Sequence, residues 1–200
     1  MTIEKNIEKN KNEWRENALK LTTNDENILT VLSILGCEMR IGIGVDHHRL
    51  IKSEKEGIIL GGVLIEGVNL TLQGNSDGDV IVHALCNAIS TALGGSSLSE
   101  IADEMCLEKG VKDSTVYLKY FLDWAKEQQW LVNNVSISVE ALRPKLEQWN
   151  EKIRGNLAKI LEVDEEKIGL AFTTGEGLTE CGKGAGIMAE VIVSMIRLQK

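Results

Sequence analysis

Between Met39 and Asp46 the hydrophobic residues leave helical spacing and settle on every second position. Ile41, Ile43 and Val45 alternate with Gly42, Gly44 and Asp46, and a period of two gives one apolar face only on an extended strand. A half-buried strand is expected here. A strand of this kind cannot stand alone, so the remaining chain must supply a sheet and a cover for it.

The downstream pattern offers both. Gly57–Glu66 is a second extended stretch with a bulge or bend at Gly61-Gly62. The turn Gly74-Asn75-Ser76-Asp77-Gly78 leads into a helix whose buried face carries Val80, Ala84, Leu85, Ala88, Ile89 and Ala92, and Gly94-Gly95 ends it. Residues 96–112 show no clear period and read as a mobile loop. A second helix is expected over Ser114–Trp130, with Tyr117, Tyr120, Phe121 and Trp124 on its inner stripe. Val135, Ile137 and Val139 make a strand, and Pro144 is expected to open a third helix carrying Leu146, Trp149, Ile153, Leu157 and Ile160. Ile168–Phe172 is a strand, followed by the glycine-rich 175–186 and a last helix over Ile187–Arg197. Interleaved elements without a repeat describe an α+β fold, a single sheet with helices packed on one face.

The start of the chain is different. Residues 1–20 are rich in Lys, Glu and Asn, and Asp25–Leu35 carries apolar residues at helical spacing before Gly36. We divide the chain into an N-terminal extension, 1–38, and a catalytic domain, 39–200. With 200 residues there is room for one substantial core. A formal charge of -8 argues against nucleic-acid binding, although metals and backbone N–H groups can still receive phosphates. No run approaches the roughly 20 apolar residues of a membrane span, and no apolar signal segment is expected at the start. Cys37, Cys86, Cys106 and Cys181 are scattered, which suits free thiols in a cytoplasmic protein.

Three histidines are present, His47, His48 and His83. Asp46 and His48, at i and i+2 near the expected strand end, project from one face. His83 lies in the first turns of the following helix. A carboxylate and two imidazoles suit Zn²⁺ or Mn²⁺ with an open position for catalysis. On spacing alone His83 also reads as a surface residue, and His47, on the opposite strand face, reads as structural. A second cluster joins Thr173-Thr174-Gly175-Glu176-Gly177 to Gly182-Lys183-Gly184-Ala185-Gly186. Hydroxyls and N–H groups at a strand end, then glycines before a helix, can cradle phosphate. Glu176 can hold Mg²⁺ shared with phosphate oxygens. The same stretch also reads as an ordinary glycine-rich connection.

Several stretches together resemble 2-C-methyl-D-erythritol 2,4-cyclodiphosphate synthases. They are Arg40-Ile41-Gly42-Ile43-Gly44-Val45-Asp46-His47-His48, Ser76-Asp77-Gly78-Asp79-Val80 with His83-Ala84-Leu85, and Thr173-Thr174-Gly175-Glu176-Gly177-Leu178. Ala141 with Pro144-Lys145, and Gly182-Lys183-Gly184 before Gly186-Ile187, extend the likeness over about residues 39–198. The resemblance implies a ferredoxin-like arrangement and a homotrimer with active sites between neighbours, in the cytoplasm or a plastid stroma. It implies closure of 4-diphosphocytidyl-2-C-methyl-D-erythritol 2-phosphate into the cyclic diphosphate with loss of CMP, in non-mevalonate isoprenoid synthesis. By the resemblance, Asp46, His48 and His83 hold Zn²⁺, and Glu176 holds Mg²⁺ or Mn²⁺ at the diphosphate. Thr173 and Thr174 contact the diphosphate, Thr174 and Glu176 being the catalytic pair. Ala141, Lys145 and Leu146 frame the cytidine, and Ser76, Asp79 and Lys183 complete the substrate-binding set.

The sequence departs from that pattern on the sugar side. Asn75 replaces a histidine, Asn87 an aspartate, and Ser97-Leu98-Ser99 an Asp-Ile-Gly, and a Pro-Asp-Thr-Asp loop is missing. Val45, Thr179, Glu180 and Lys183 alter the residues that would line the trimer axis. These changes leave open a paralogue that hydrolyses another nucleoside diphosphate conjugate, or one that only binds a diphosphate. A short likeness of Ala18-Leu19-Lys20-Leu21-Thr22-Thr23 to the C-terminal end of the pathway's cytidylyltransferase would make the extension a relic of fusion.

Overall fold

Glycine decides how the first strand packs. In β1 (Cys37–Lys52) the even positions face a helix and the odd positions face away, so Gly42 and Gly44 are buried. Ile41 and Ile43 are 66% and 51% exposed. This reverses the polarity expected from the alternation. A Cβ on Gly44 would stand 2.5 Å from Ala88 N, and one on Gly42 would stand 2.6 Å from Ala92 N. The helix backbone therefore lies directly on the strand, and only glycine leaves room for it.

The computed structural model describes residues 37–53 and 57–198, and Met39–Ile196 forms one compact unit. Residues 1–36 of the expected extension, with its helix over 25–35, lie outside the described residues, and Cys37 and Glu38 already belong to β1. After β1 come β2 (Ile58–Leu60) and β3 (Val63–Ile65), an antiparallel pair turning at Gly61-Gly62. Then follow β4 (Leu70–Leu72), α1 (Val80–Ala92), α2 (Ser99–Asp103) and a π-helical turn over Glu104–Glu108. The second half runs α3 (Ser114–Glu127), β5 (Leu131–Glu140), α4 (Asn150–Leu161), β6 (Ile168–Thr173) and β7 (Gly186–Leu198).

Five strands make the main sheet in the order β4-β1-β7-β5-β6. β5 pairs with β6 in parallel across α4, and with β7 antiparallel. A ferredoxin-like fold runs βαββαβ, whereas the main elements here run βαβαββ and place two parallel strands side by side. The ferredoxin-like expectation is therefore corrected, and the mixed α+β class stands. A separate two-stranded sheet, β2–β3, also qualifies the single-sheet expectation.

Other corrections have local causes. Ile187, Ala189, Val191, Val193 and Met195 are all buried at every second position, so the expected last helix is β7. Apolar Met188, Ile192 and Ile196 on the other parity hid that period. The expected loop 96–112 contains α2 and the π turn, because Leu98 and Cys106 are buried and Ile101 and Met105 pack on the core. Pro144 follows a cis Arg143–Pro144 bond, and the third helix begins only at Asn150. Tyr120 is 42% exposed, outside the inner stripe that Tyr117, Leu118 and Phe121 form. α1 is enclosed on all sides, with every apolar residue from Val80 to Ile89 buried. Each such Leu or Ile contributes about 1.5–3 kcal/mol by leaving water.

Candidate metal centre

β1 does not end at Asp46 but runs six residues further, to Lys52, so Asp46 and His48 sit in mid-strand on the face that meets α1. The glycines upstream seat α1 against that face, and His83, in its first turns, enters between them. Asp46 Oδ2 lies 3.2 Å from His48 Nε2 and 3.2 Å from His83 Nδ1. The two ring nitrogens are 3.3 Å apart. His48 Nδ1 lies 2.7 Å from the Gln73 carbonyl oxygen, which can only accept, so Nδ1 carries a proton and Nε2 is left to face the cluster. One ligand atom from each of Asp46, His48 and His83 falls within 4.8 Å of the others. Three converging lone-pair atoms repel one another unless a cation or a proton lies between them. Two imidazoles and one carboxylate fit a borderline divalent ion with an open position.

Without a cation, the same groups pair with one another. Burial alone pushes the Asp46 carboxyl up, but hydrogen bonds to His48 and His83 and their ring charges outweigh it and hold its pKa at about 2. The hydrogen bond to Asp46 raises the His48 pKa, against an opposing effect of burial. His47 is exposed on the other face of β1.

Behind His83 lies Ser114, a residue the sequence did not point to. His83 Nε2 is 2.7 Å from Ser114 Oγ and 3.2 Å from Ser76 Oγ. Ser114 donates from its N–H to Asp77 Oδ2 at 2.9 Å and from its hydroxyl to Asp77 Oδ1. Asp77 is contiguous with Ser76, but Ser114 is 37 residues away, a pairing that no local spacing signals.

Asp79, expected at the substrate, is completely buried. Its Oδ1 accepts from Gly61 N, Ile81 N and Val82 N, and its Oδ2 accepts from Gly62 N at 2.6 Å. It caps α1 and ties the β2–β3 turn to it, leaving no free oxygen for a ligand. Ser76 is half-buried at the cluster's edge and has a hydroxyl to offer.

Thr173, Thr174 and Glu176 are together at the end of β6, outside the Asp46 group. Glu176 is exposed and lies in left-handed backbone at φ 49, between Gly175 and Gly177, also at positive φ. Thr174 Oγ1 donates to Glu176 Oε1 at 3.4 Å, and Gly175 N to Thr173 Oγ1 at 3.3 Å. The glycine-rich segment that follows enters β7 rather than a helix, so it has no helix N-terminus to offer phosphate. Beneath the turn, the buried Glu140 accepts from the Thr179 hydroxyl, an anchor the sequence did not reveal. Lys183 is exposed and pairs with Glu180 at 2.9 Å. Ala141 and Lys145 reach the surface beyond β5, whereas Leu146 is only 2% exposed and belongs to the core. Asn87 Oδ1 accepts from Leu98 N at 2.7 Å and so pins Ser97-Leu98-Ser99 beside α1.

The model of the YgbB family matches residues 39–196. The 2-C-methyl-D-erythritol 2,4-cyclodiphosphate synthase of Chlamydia muridarum is 36% identical over 158 residues, covering 78% of this chain and 88% of the relative. That of Chlamydia trachomatis serovar L2b is 37% identical over the same shares. Among solved structures, IspF from Plasmodium falciparum in a CDP complex superposes with a TM-score of 0.70 at 28% identity, over 80% of this chain and 97% of that one. The bifunctional IspDF from Campylobacter jejuni gives 0.74 at 29% identity, over 82% of this chain and 43% of that one. With its family model, its curated relatives and its fold in accord over the segment that builds the metal centre, the chain belongs to the YgbB family.

Proposed function

We propose that this chain closes 4-diphosphocytidyl-2-C-methyl-D-erythritol 2-phosphate into 2-C-methyl-D-erythritol 2,4-cyclodiphosphate and releases CMP. The observation that carries the reading is the convergence of Asp46 Oδ2, His48 Nε2 and His83 Nδ1 on one point. Its support is the synthase name shared by the curated relatives at 36–37% identity. That name favours cyclisation over hydrolysis of another conjugate.

The chemistry asks little covalent work of the protein. An oxygen of the 2-phosphate attacks the β-phosphorus, the bond from that phosphorus to the bridging oxygen breaks, and CMP leaves with the electron pair. The nucleophile is already an anion, so no side chain need take its proton. Positioning and neutralisation of charge remain. Asp46, His48 and His83 would hold Zn²⁺ or Mn²⁺, and Glu176 would hold Mg²⁺ or Mn²⁺ with the diphosphate; bound there, the ions supply Lewis-acid polarisation of the phosphoryl oxygens. Ser76 faces the phosphate beside His83, and Thr173 and Thr174 orient the diphosphate from the end of β6. Lys183 adds a cation to that rim, since its exposed pairing with Glu180 holds it only weakly.

The two halves of this machinery stand apart within one chain, which favours a homotrimer with sites between neighbours. Met39, Ile41, Ile43 and Val45 on β1 and Ile192 on β7 are exposed, an apolar strip of the kind that subunit contacts cover. Ala141, Lys145 and Leu146 of a neighbouring copy would then frame the cytidine.

The test is incubation with the cytidyl substrate and Mg²⁺, followed by phosphorus NMR. A cyclic diphosphate together with CMP is expected. CMP with an open-chain diphosphate would assign hydrolysis instead, and absence of turnover would overturn the enzymatic reading.

A further inference from the structure

We propose that Asp77 and Ser114 act as positioning residues that decide which nitrogen of His83 carries its proton, so that Nδ1 reaches the cation bare. The inference rests on the metal-centre reading above.

A carboxylate only accepts hydrogen bonds, and a hydroxyl has a single proton to give. Ser114 gives that proton to Asp77 Oδ1, while its N–H holds Asp77 Oδ2 at 2.9 Å. The Ser114 oxygen, 2.7 Å from His83 Nε2, is then an acceptor, and Nε2 must be the protonated nitrogen. Ser76 Oγ, 3.2 Å from the same Nε2, is a second acceptor for it. Nδ1, 3.2 Å from Asp46 Oδ2, is left with its lone pair toward the cluster.

Burial makes this arrangement decisive. Ser114 is 0% and His83 7% exposed, so water does not compete for these bonds. The Asp77 backbone is fixed by its own N–H donating to Lys112 O at 3.0 Å. The Tyr117 ring lies over His83 at 6.3 Å between centroids and 29° between planes, which opposes rotation of the imidazole. The Ser114 hydroxyl is not spent on the helix end, because Asp113 is the residue that caps α3. His48 meets the same requirement through the Gln73 carbonyl alone. Of the two imidazoles, only His83 depends on a side-chain relay, so its donor nitrogen can be altered without touching a ligand.

Zn²⁺ affinity of the full chain, measured by competition with a chromophoric chelator, tests this in wild type, S114A, S114T, D77N and H83A. Long-range proton–nitrogen NMR of the imidazoles in metal-free protein reports the tautomer independently. S114A and D77N should bind about 10–100-fold more weakly, and S114T should recover most of the loss. The wild-type spectrum should show Nε2–H at His83. D77N should show mixed tautomers, because its amide can donate to the Ser114 oxygen and turn that hydroxyl toward the ring. If H83A binds Zn²⁺ as tightly as wild type, the metal-centre reading fails and takes the proposal with it. If H83A loses affinity while S114A and D77N retain it with an unchanged spectrum, the positioning proposal alone is overturned.

Discussion

The seam between β1 and α1 and the turn from Thr173 to Lys183 both carry residues assigned to the proposed site, and they are built in opposite ways. At the seam, Asp46, His48 and His83 stand on two elements in backbone contact, with the buried Ser114 and the Gln73 carbonyl fixing the two imidazoles. At the turn, Glu176 is exposed, its neighbours adopt left-handed backbone, and its hydrogen bonds reach only two residues along the chain. One half of the site is thus organised within a single chain. The other awaits what a substrate, a cation or another copy would bring.

That contrast can be broken at several points. The largest effect is expected from Gly44→Ala, whose Cβ has no space between β1 and α1. Overpacking of backbone against backbone should cost about 3 kcal/mol, read from urea unfolding, and should loosen metal binding too. A cost below about 1 kcal/mol would show that the seam is not rigid. Next comes Glu176→Gln, which should lower kcat about 100-fold while tightly held metal and stability stay unchanged. Loss of the tightly held metal in that variant would merge the two halves that the structure keeps apart.

A third effect concerns acid. The depressed Asp46 pKa stabilises metal-free protein above the ordinary value of 3.8, and that contribution is lost as pH falls towards about 2. The difference is about 2 kcal/mol. The raised His48 pKa works the other way: its contribution is full below the ordinary 6.5 and fades as pH rises through the folded value. Both describe one interaction, so they are counted once. Urea midpoints in a chelator should therefore peak between about pH 4 and 6.5, and Asp46→Asn should flatten the peak. A profile unaffected by that substitution would remove ion pairing from the account. The smallest effect belongs to Gly177→Ala at the turn. Nothing lies within 4 Å of its Cβ position, so only the positive φ of 73 resists, at about 1 kcal/mol by thermal unfolding.

The same contrast explains what the sequence made legible. The Asp46-x-His48 pair and His83 could be read because a strand's period and a helix's first turn are local properties. The outward face of Ile41 and Ile43 could not, since alternation distinguishes two faces without saying which one meets a helix. Asp79 illustrates the limit well. Its place before Val80 announces a cap, but its second oxygen is taken by Gly62, which only the tertiary fold brings near. Ser114 was invisible for the same reason. β7 carries apolar residues on both its faces, which erases the period on which strand assignment depends.

The glycine contacts of β1 have one more consequence, for the history open to this chain. Where two backbones touch, the gap between them is set by the radii of main-chain atoms and not by the volume of any side chain. Gly42 and Gly44 therefore work as a fixed gauge between the strand that bears Asp46 and His48 and the helix that bears His83. Side chains elsewhere in the core can be exchanged and repacked through long divergence without changing the spacing of the three ligand atoms.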